Sequence, residues 1–509
     1  MWRTRLCKLL FLHTCAFVHA KAVEDATGDV PKTRVLHVTD THIDMKYLLG
    51  SEAACDAPPC CRVHSKHPDK TTDVIGEGIV APARLFGEYH CDTPLAMLQS
   101  AMDAARQLKP DFVVWGGDTG PHVAGDEHLN GGEALLEETA ELRARVLDAI
   151  SNATTIFAKM FPDVPVFPVL GDDDMVPSSV YSGASSARWL MTEAASLWKK
   201  WLPPSALLTL QWGGYYTAQT ASGMRVAVLN TAVCDIQNMH NFIDGGASAR
   251  TQLHWLESVL AGARAAGEPC LITGHIPPGV YSGCWGNYSA AYEELLSRYT
   301  DVVAGQIFGH QHSGSFRLLR SPSTSATPPY GVAYVTPSFT AYRDQNPSFR
   351  LYQLSRSPLM VSDVEQYHLN LGKANAEGSK GALLWSPSYV PRTALGLPDL
   401  SPAQWQGVLN RMWANETFAG VLRLTEANGR AWMGHNTELR DYLCALTGVT
   451  DQEFVKCARK SEEIMIRQYT GSQHTYVLTA MFQFQTIIEH FRHVLGGVHP
   501  DDVAHVGGQ

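Results

Sequence analysis

The chain has 509 residues, enough for one large domain with an accessory piece or for two domains. Its hydrophobic content of 45% is ordinary for a protein with a full core. A net charge of −10 argues against a nucleic-acid duplex or an anionic membrane surface as the main partner. With 21 His residues, metal or acid–base chemistry is worth seeking.

Arg3, Arg5 and Lys8 precede an apolar run from Leu9 to Val18, and small-residue cleavage patterns follow. Residues 1–22 therefore read as a secretory signal peptide, too short in its apolar part to cross a bilayer. No later segment reads as a transmembrane span, and the polar C-terminus carries no lipid-anchor signal. A secreted or lysosomal protein is expected, in an oxidising compartment where cysteines pair. Nine cysteines remain beyond residue 22, so at least one stays free. Cys270, in the apolar run Cys270-Leu271-Ile272-Thr273, is the expected free one. Cys55, Cys60 and Cys61 lie close enough for a zinc site, but an oxidising setting favours disulfides. Asn152, Asn287 and Asn415 stand in glycosylation sequons.

Residues 21 to about 32 form a polar lead-in. Strands are then expected over 35–38, 112–115, 166–170, 226–229, 270–273 and 302–308. Helical periodicity fills many gaps, as in 95–102, capped by Asp92 with Pro94 just inside, and in 248–260. Such alternation predicts an α/β layered domain. After residue 330 strand-like pieces follow (332–335, 349–354 and 359–369). The stretch from about 378 to 400 is rich in Pro, Ser and Gly. From Ser401 the chain reads as helical, with Pro402 at a helix start and an amphipathic stretch ending near Leu495.

Five strand ends carry polar clusters: Asp40-Thr41-His42, Gly116-Gly117-Asp118, Gly171-Asp172-Asp173-Asp174, Gly274-His275 and Gly309-His310-Gln311-His312. In an α/β sheet such loops gather in one crevice. Glycine lets the backbone turn sharply and aims the next side chain inward. On extended chain, Asp-x-His and His-x-His would each put two ligands on the same side. Any one of these elements alone is more often a turn or a satisfied buried histidine; five in this order are not.

These motifs resemble the calcineurin-like metallophosphoesterases, and more narrowly the acid sphingomyelinase-like phosphodiesterases. The narrower match rests on Asp40 to Asp44, Gly87-Glu88-Tyr89-His90-Cys91-Asp92-Thr93-Pro94, Asp118 with His122, Gly274 to Gly279, and Asn346-Pro347. The resemblance implies a four-layer αββα sandwich over residues 33–375 and a mostly helical subdomain over 376–509. It implies two divalent ions, expected to be zinc. One would be held by Asp40, His42 and His312, the other by Asp172, His275 and His310, with Asp118 between them. A metal-bridging hydroxide would attack phosphorus. It also implies the pairs Cys55–Cys60, Cys61–Cys91, Cys234–Cys284 and Cys444–Cys457. Tyr47 and His90 are expected to be structural.

The Gly171 loop departs from the family's Gly-Asn-His-Asp/Glu. Asp172 would still ligate while adding charge. Asp173, in place of the presumed acid histidine, must be protonated to serve, and its ordinary pKa is about 3.9. His122 is the other candidate proton donor. The expected function is hydrolysis of a phosphodiester or phosphoanhydride, in a sphingomyelin-like lipid or a nucleotide, by a monomer. With no saposin-like module ahead of the first strand, a soluble nucleotide-type substrate is favoured. The alternative is a metal-stabilised binding protein whose catalysis is reduced or lost through Asp172 and Asp173.

Overall fold

The computed structural model describes residues 32–63, 65, 81–122, 133–183, 185–238, 240–320, 328–378, 385–428 and 439–458. The signal peptide and the helical stretch toward Leu495 lie outside these residues.

Two six-stranded sheets form the centre. In chain order the strands are β1 (Thr33–Val38), β2 (Phe112–Trp115), β3 (Val166–Pro168), β4 (Tyr216–Gln219), β5 (Arg225–Val228), β6 (Cys270–Thr273), β7 (Val303–Phe308), β8 (Ser315–Leu319), β9 (Gly331–Val335), β10 (Ser348–Arg356), β11 (Leu359–Leu369) and β12 (Trp385–Tyr389). The first sheet runs β12-β11-β10-β1-β2-β3 and the second β4-β5-β6-β7-β9-β8. β1, β2 and β3 are parallel, as are β5, β6, β7 and β9, so each sheet presents its strand ends at one edge.

The central strands are buried on both faces, which is why they read as unbroken apolar runs. β7 faces β10 and β11 across the sandwich. Gly305 permits that approach, because a Cβ there would come within 3.1 Å of Val361 Cγ2 and 3.2 Å of Leu354 Cδ2. Helices complete the four layers. The helices Leu95–Arg106, Glu133–Met160 and Arg188–Trp198 pack in series beside the first sheet, where Trp115 of β2 meets the rings of Phe157 and Trp198. Ala247–Ala266 packs on β5, and Gly286–Ser297 reaches β7 through the Tyr292 hydroxyl, which donates to Gln306 at 2.8 Å.

The chain past 376, expected as a helical subdomain, first adds β12 to the edge of the first sheet. It then forms helices Pro391–Leu395, Pro402–Ala414, Glu416–Glu426, Leu439–Thr447 and Asp451–Ala458. Two of these lie on β8, with Trp405 4.4 Å from the Phe316 ring. The buried pair of Arg350 on β10 with Glu426 ties this part to the sandwich. No helix among the described residues is long and apolar enough to cross a membrane.

All four disulfides occur as the resemblance implies, and Cys270 is free and buried. Zinc on Cys55, Cys60 and Cys61 is thereby excluded. The Tyr47 hydroxyl donates to the Arg84 carbonyl at 2.6 Å, a structural contact. Asn287 and Asn415 are exposed, and the Asn415 side chain caps a helix by accepting from the Phe418 N–H. Asn152 lies within Glu133–Met160, where its amide donates to the Asp148 carbonyl. One expected cap is absent. Asp92 does not cap the helix beginning at Leu95; Pro94 holds the N-cap position without a side-chain bond. Asp92 binds His122 instead, as described below.

Glu293, on the helix Gly286–Ser297, is 1% exposed and accepts the Arg320 N–H at 2.6 Å. Burial pushes its carboxyl up to about 8. Folding thus favours its protonated form, and that contribution is lost as pH rises from the ordinary glutamate range toward about 8. Glu293→Gln keeps the acceptor without the charge. Its melting temperature should fall less than the wild type's between mildly acidic and mildly alkaline pH, the gap reaching a few degrees. Parallel melting curves for the two proteins across that range would refute the assignment.

Candidate metal centre

The five strand-end clusters meet where the ends of the two sheets come together. Backbone pairing continues past the strands: His42 N–H donates to Asp118 O at 2.9 Å and Gly309 N–H to His275 O at 2.9 Å. The chain is not extended there, however. Asp40, His42, Asp118, His310 and His312 all have left-handed backbone, with φ of 53°, 37°, 50°, 69° and 58°. The expected period-two geometry is therefore wrong for Asp40-x-His42 and His310-x-His312. Left-handed turns at the polar residues themselves bring their side chains together. Non-glycine residues pay of order 1 kcal/mol or more for this, a strain typical of functional sites.

Of the glycines ahead of the ligands, Gly117, at φ 91°, turns the chain as expected, whereas Gly171 and Gly309 serve as space. A Cβ on Gly171 would lie 2.0 Å from Asp118 Oδ1, and one on Gly309 2.1 Å from Thr39 Oγ1 and 2.6 Å from Asp40 Oδ2. Neither has positive φ.

The structure brings all seven expected ligands together. Asp40, His42 and Asp118 offer donor atoms within 4.8 Å of one another, as do Asp118, Asp172, His275 and His310. His312 Nε2 stands 3.3 Å from His42 Nε2 and 3.6 Å from Asp40 Oδ1. His275 Nε2 lies 2.9 Å from Asp118 Oδ2 and 3.2 Å from Asp172 Oδ1, and His310 Nδ1 lies 3.0 Å from that same Asp172 oxygen.

These atoms fit a cation. His275 faces the Gly116 carbonyl through Nδ1 at 2.7 Å, and His42 faces the Gly120 carbonyl through Nδ1 at 3.0 Å. Each Nδ1 thus carries its proton, which aims the Nε2 lone pair into the cluster. His275 Nε2 and Asp172 Oδ1 are buried and make no hydrogen bond within the described residues. The electrostatics agree. Burial pushes Asp40 and Asp118 up, so these carboxyls resist ionisation unless positive charge is supplied. Burial disfavours charge on His310 too, yet Asp172 pulls it up to about 9; Asp118 and Asp40 likewise hold His275 well above its ordinary value. In the protein alone the demanded positive charge falls on those two rings, and a bound cation would replace the protons. The imidazole and carboxylate donors suit zinc, manganese or iron.

The three consecutive aspartates have three separate tasks. Asp172 enters the cluster. Asp174 turns away and accepts backbone N–H groups from Thr119 (2.8 Å), Gly120 (3.1 Å) and Gly171 (2.8 Å), holding the Asp118 and Asp172 loops together. Asp173 sits at the mouth with a quarter of its side chain exposed, accepts the Ser178 hydroxyl, and lies 3.8 Å from His122 Nε2. Burial pushes its carboxyl up.

His122 stacks on His42 with ring centroids 3.8 Å apart, and its Nδ1–H donates to Asp92 Oδ1 at 2.7 Å. Burial lowers its pKa to about 4. Asp92 also accepts the His122 backbone N–H at 2.8 Å. Arg62 steadies this pair, bonding Asp44 at 2.6 Å and the His122 carbonyl at 3.2 Å. Sequence reasoning missed Asp92, Arg62 and Ser178. Only Asp92 carried a signal, and its place before Pro94 pointed to a cap.

A family model described as calcineurin-like phosphoesterase matches residues 33–314. The chain is 31% identical over 427 residues to sphingomyelin phosphodiesterase A of Dictyostelium discoideum, covering 83% of this chain and 67% of that one. It is 33% identical over 391 residues to sphingomyelin phosphodiesterase of Bos taurus, covering 75% of this chain but 58% of the bovine protein's length. To the human acid sphingomyelinase-like phosphodiesterase 3b it is 29% identical over 401 residues, with 75% and 80% covered. A fold of two facing sheets, a convergent His/Asp cluster and these matches together place the chain in the calcineurin-like phosphoesterase family, with sphingomyelin phosphodiesterases and acid sphingomyelinase-like phosphodiesterases among its relatives.

Proposed function

We propose that the chain is a metal-dependent phosphodiesterase that hydrolyses a phosphodiester or phosphoanhydride, of a sphingomyelin-like lipid or a nucleotide, in a secreted or lysosomal setting. The observation that carries the reading is the convergence of Asp40, His42, Asp118, Asp172, His275, His310 and His312 from five loops onto one cluster, in which His275 Nε2 and Asp172 Oδ1 are buried and make no hydrogen bond within the described residues. Asp40, His42 and His312 would hold one divalent ion, and Asp172, His275 and His310 the other, with Asp118 shared; zinc suits this set. Such ions supply Lewis acidity toward the phosphoryl oxygens and an activated water. The four disulfides support the setting.

The protein's own share is proton delivery at the mouth. His122 presents Nε2 because its Nδ1–H is committed to Asp92. With its pKa near 4 it is mostly neutral in mild acid. Asp173 stands where the family has its acid histidine; burial pushes its carboxyl toward the protonated form, and when ionised it leaves the departing oxygen without a donor. The Ser178 hydroxyl, donating to Asp173, orients that carboxyl, and His122 Nε2 lies 3.8 Å from it.

Elemental analysis should find about two divalent ions per chain, and Asp118→Asn or His310→Ala should lose at least one. A protein with no bound metal after incubation with zinc or manganese would sink this reading.

The double change Asp172→Asn with Asp173→His restores the family pattern. It should raise hydrolysis of a diester with an alkoxide leaving group by roughly 10²–10⁴-fold, and that of a nitrophenyl diester much less. Equal rates on the alkyl substrate would mean that Asp173 already supplies the proton as well as a histidine. If both proteins hold two ions and cleave no diester, the chain is a metal-stabilised binding protein.

A further inference from the structure

We infer that Arg343 is a specificity-determining residue: it receives a second anionic group of the substrate, a further phosphate or a carboxylate beyond the scissile phosphoryl, and disfavours a cationic arm such as choline. This rests on the phosphodiesterase reading of the same site.

Residues 338–346 form one wall of the mouth. Their backbone is stitched to the ligand loops: Phe339 N–H donates to Thr39 O at 2.9 Å, Thr340 N–H to Asp40 O at 2.9 Å, and Ser338 N–H to His312 O at 2.8 Å. From that anchored base the chain takes two successive left-handed residues, Arg343 at φ 69° and Asp344 at φ 64°. Neither is a glycine, and such strain persists only where surrounding structure imposes it. The turn sets the Arg343 guanidinium 5.7 Å from the centre of the Tyr342 ring, which in turn stands 4.6 Å from the His122 ring. Its charge is felt at His122, Asp173 and His312.

Arg343 is exposed, and no carboxylate among the described residues pairs with it. The other arginines close by are committed, Arg62 to Asp44 and Arg350 to Glu426. A guanidinium held on an aromatic face beside a phosphoryl site, with its donors open, matches a second phosphate or carboxylate in a bidentate pair. An ammonium arm in the same place meets like charge.

The test uses the zinc-loaded full chain and its Arg343→Gln and Arg343→Lys variants. Calorimetry gives the Kd of ADP. Kinetics give kcat/KM for bis(p-nitrophenyl) phosphate, which has no second anion, and for p-nitrophenyl phosphorylcholine. In Arg343→Gln, ADP binding should weaken roughly tenfold to a hundredfold. The change for the neutral-armed diester should be several-fold smaller, and kcat/KM for the phosphorylcholine ester should rise. Arg343→Lys should recover part of the ADP affinity. Equal ADP affinity in wild type and Arg343→Gln overturns the inference, as does a wild type that does not bind ADP. An equal fall in kcat on both diesters with unchanged ADP affinity also overturns it, because Arg343 would then act only through Asp173 and His122. If the wild type cleaves neither diester, the phosphodiesterase reading falls, while the ADP comparison still decides the role of Arg343.

Discussion

Asp40, Asp118 and Asp172 are buried within a few ångströms of one another, and carboxylates so placed require positive charge. An unpaired buried carboxylate costs several kcal/mol, so three in one pocket would undo much of a domain's stability. The rest of the architecture serves that constraint. Parallel strands in both sheets bring their ends to one place. Left-handed turns bend the ligands inward, and missing side chains at Gly171 and Gly309 leave room for them. Backbone carbonyls of Gly116 and Gly120 fix which imidazole nitrogen faces the cluster. None of this strain is repaid locally; it is carried by the large two-sheet core on which the loops sit.

What was legible in the sequence follows from burial. Strands covered on both faces, such as Phe112–Trp115 and Cys270–Thr273, announce themselves as apolar runs. The strands that escaped, β4, β8 and β12, all lie at sheet edges. β12 reads Trp-Ser-Pro-Ser-Tyr, with a proline that only an edge tolerates, and β8 contains the buried Arg317. β4 and β12 are only partly buried, and β8, though buried, has its apolar run broken by Arg317, so their patterns are fainter. The ligand set was legible because it is chemical: seven donors at five strand ends. Its geometry was not, because no periodicity announces a left-handed aspartate or histidine.

The Gly171 loop shows how identical letters hide different physics. Asp172 is read by imidazoles, Asp174 by backbone amides, and Asp173 by a serine hydroxyl and a neighbouring imidazole. Asp172 and Asp173 could be assigned by their places in a motif, though not the contacts that hold Asp173. Asp174's task depends on which way one loop turns toward another some fifty residues earlier, which a linear pattern does not carry. Asp92 and His122, thirty residues apart, escaped for the same reason.

The bond between Cys61 and Cys91 joins the residue just before Arg62 to the residue just before Asp92. Those two neighbours grip His122 from its carbonyl and from its ring. A single covalent link therefore spans both jaws of the grip, while none of the seven expected metal ligands depends on it directly. Opening that one bond would loosen the hold on His122, while the loops that carry the seven ligands stay seated on the two-sheet core.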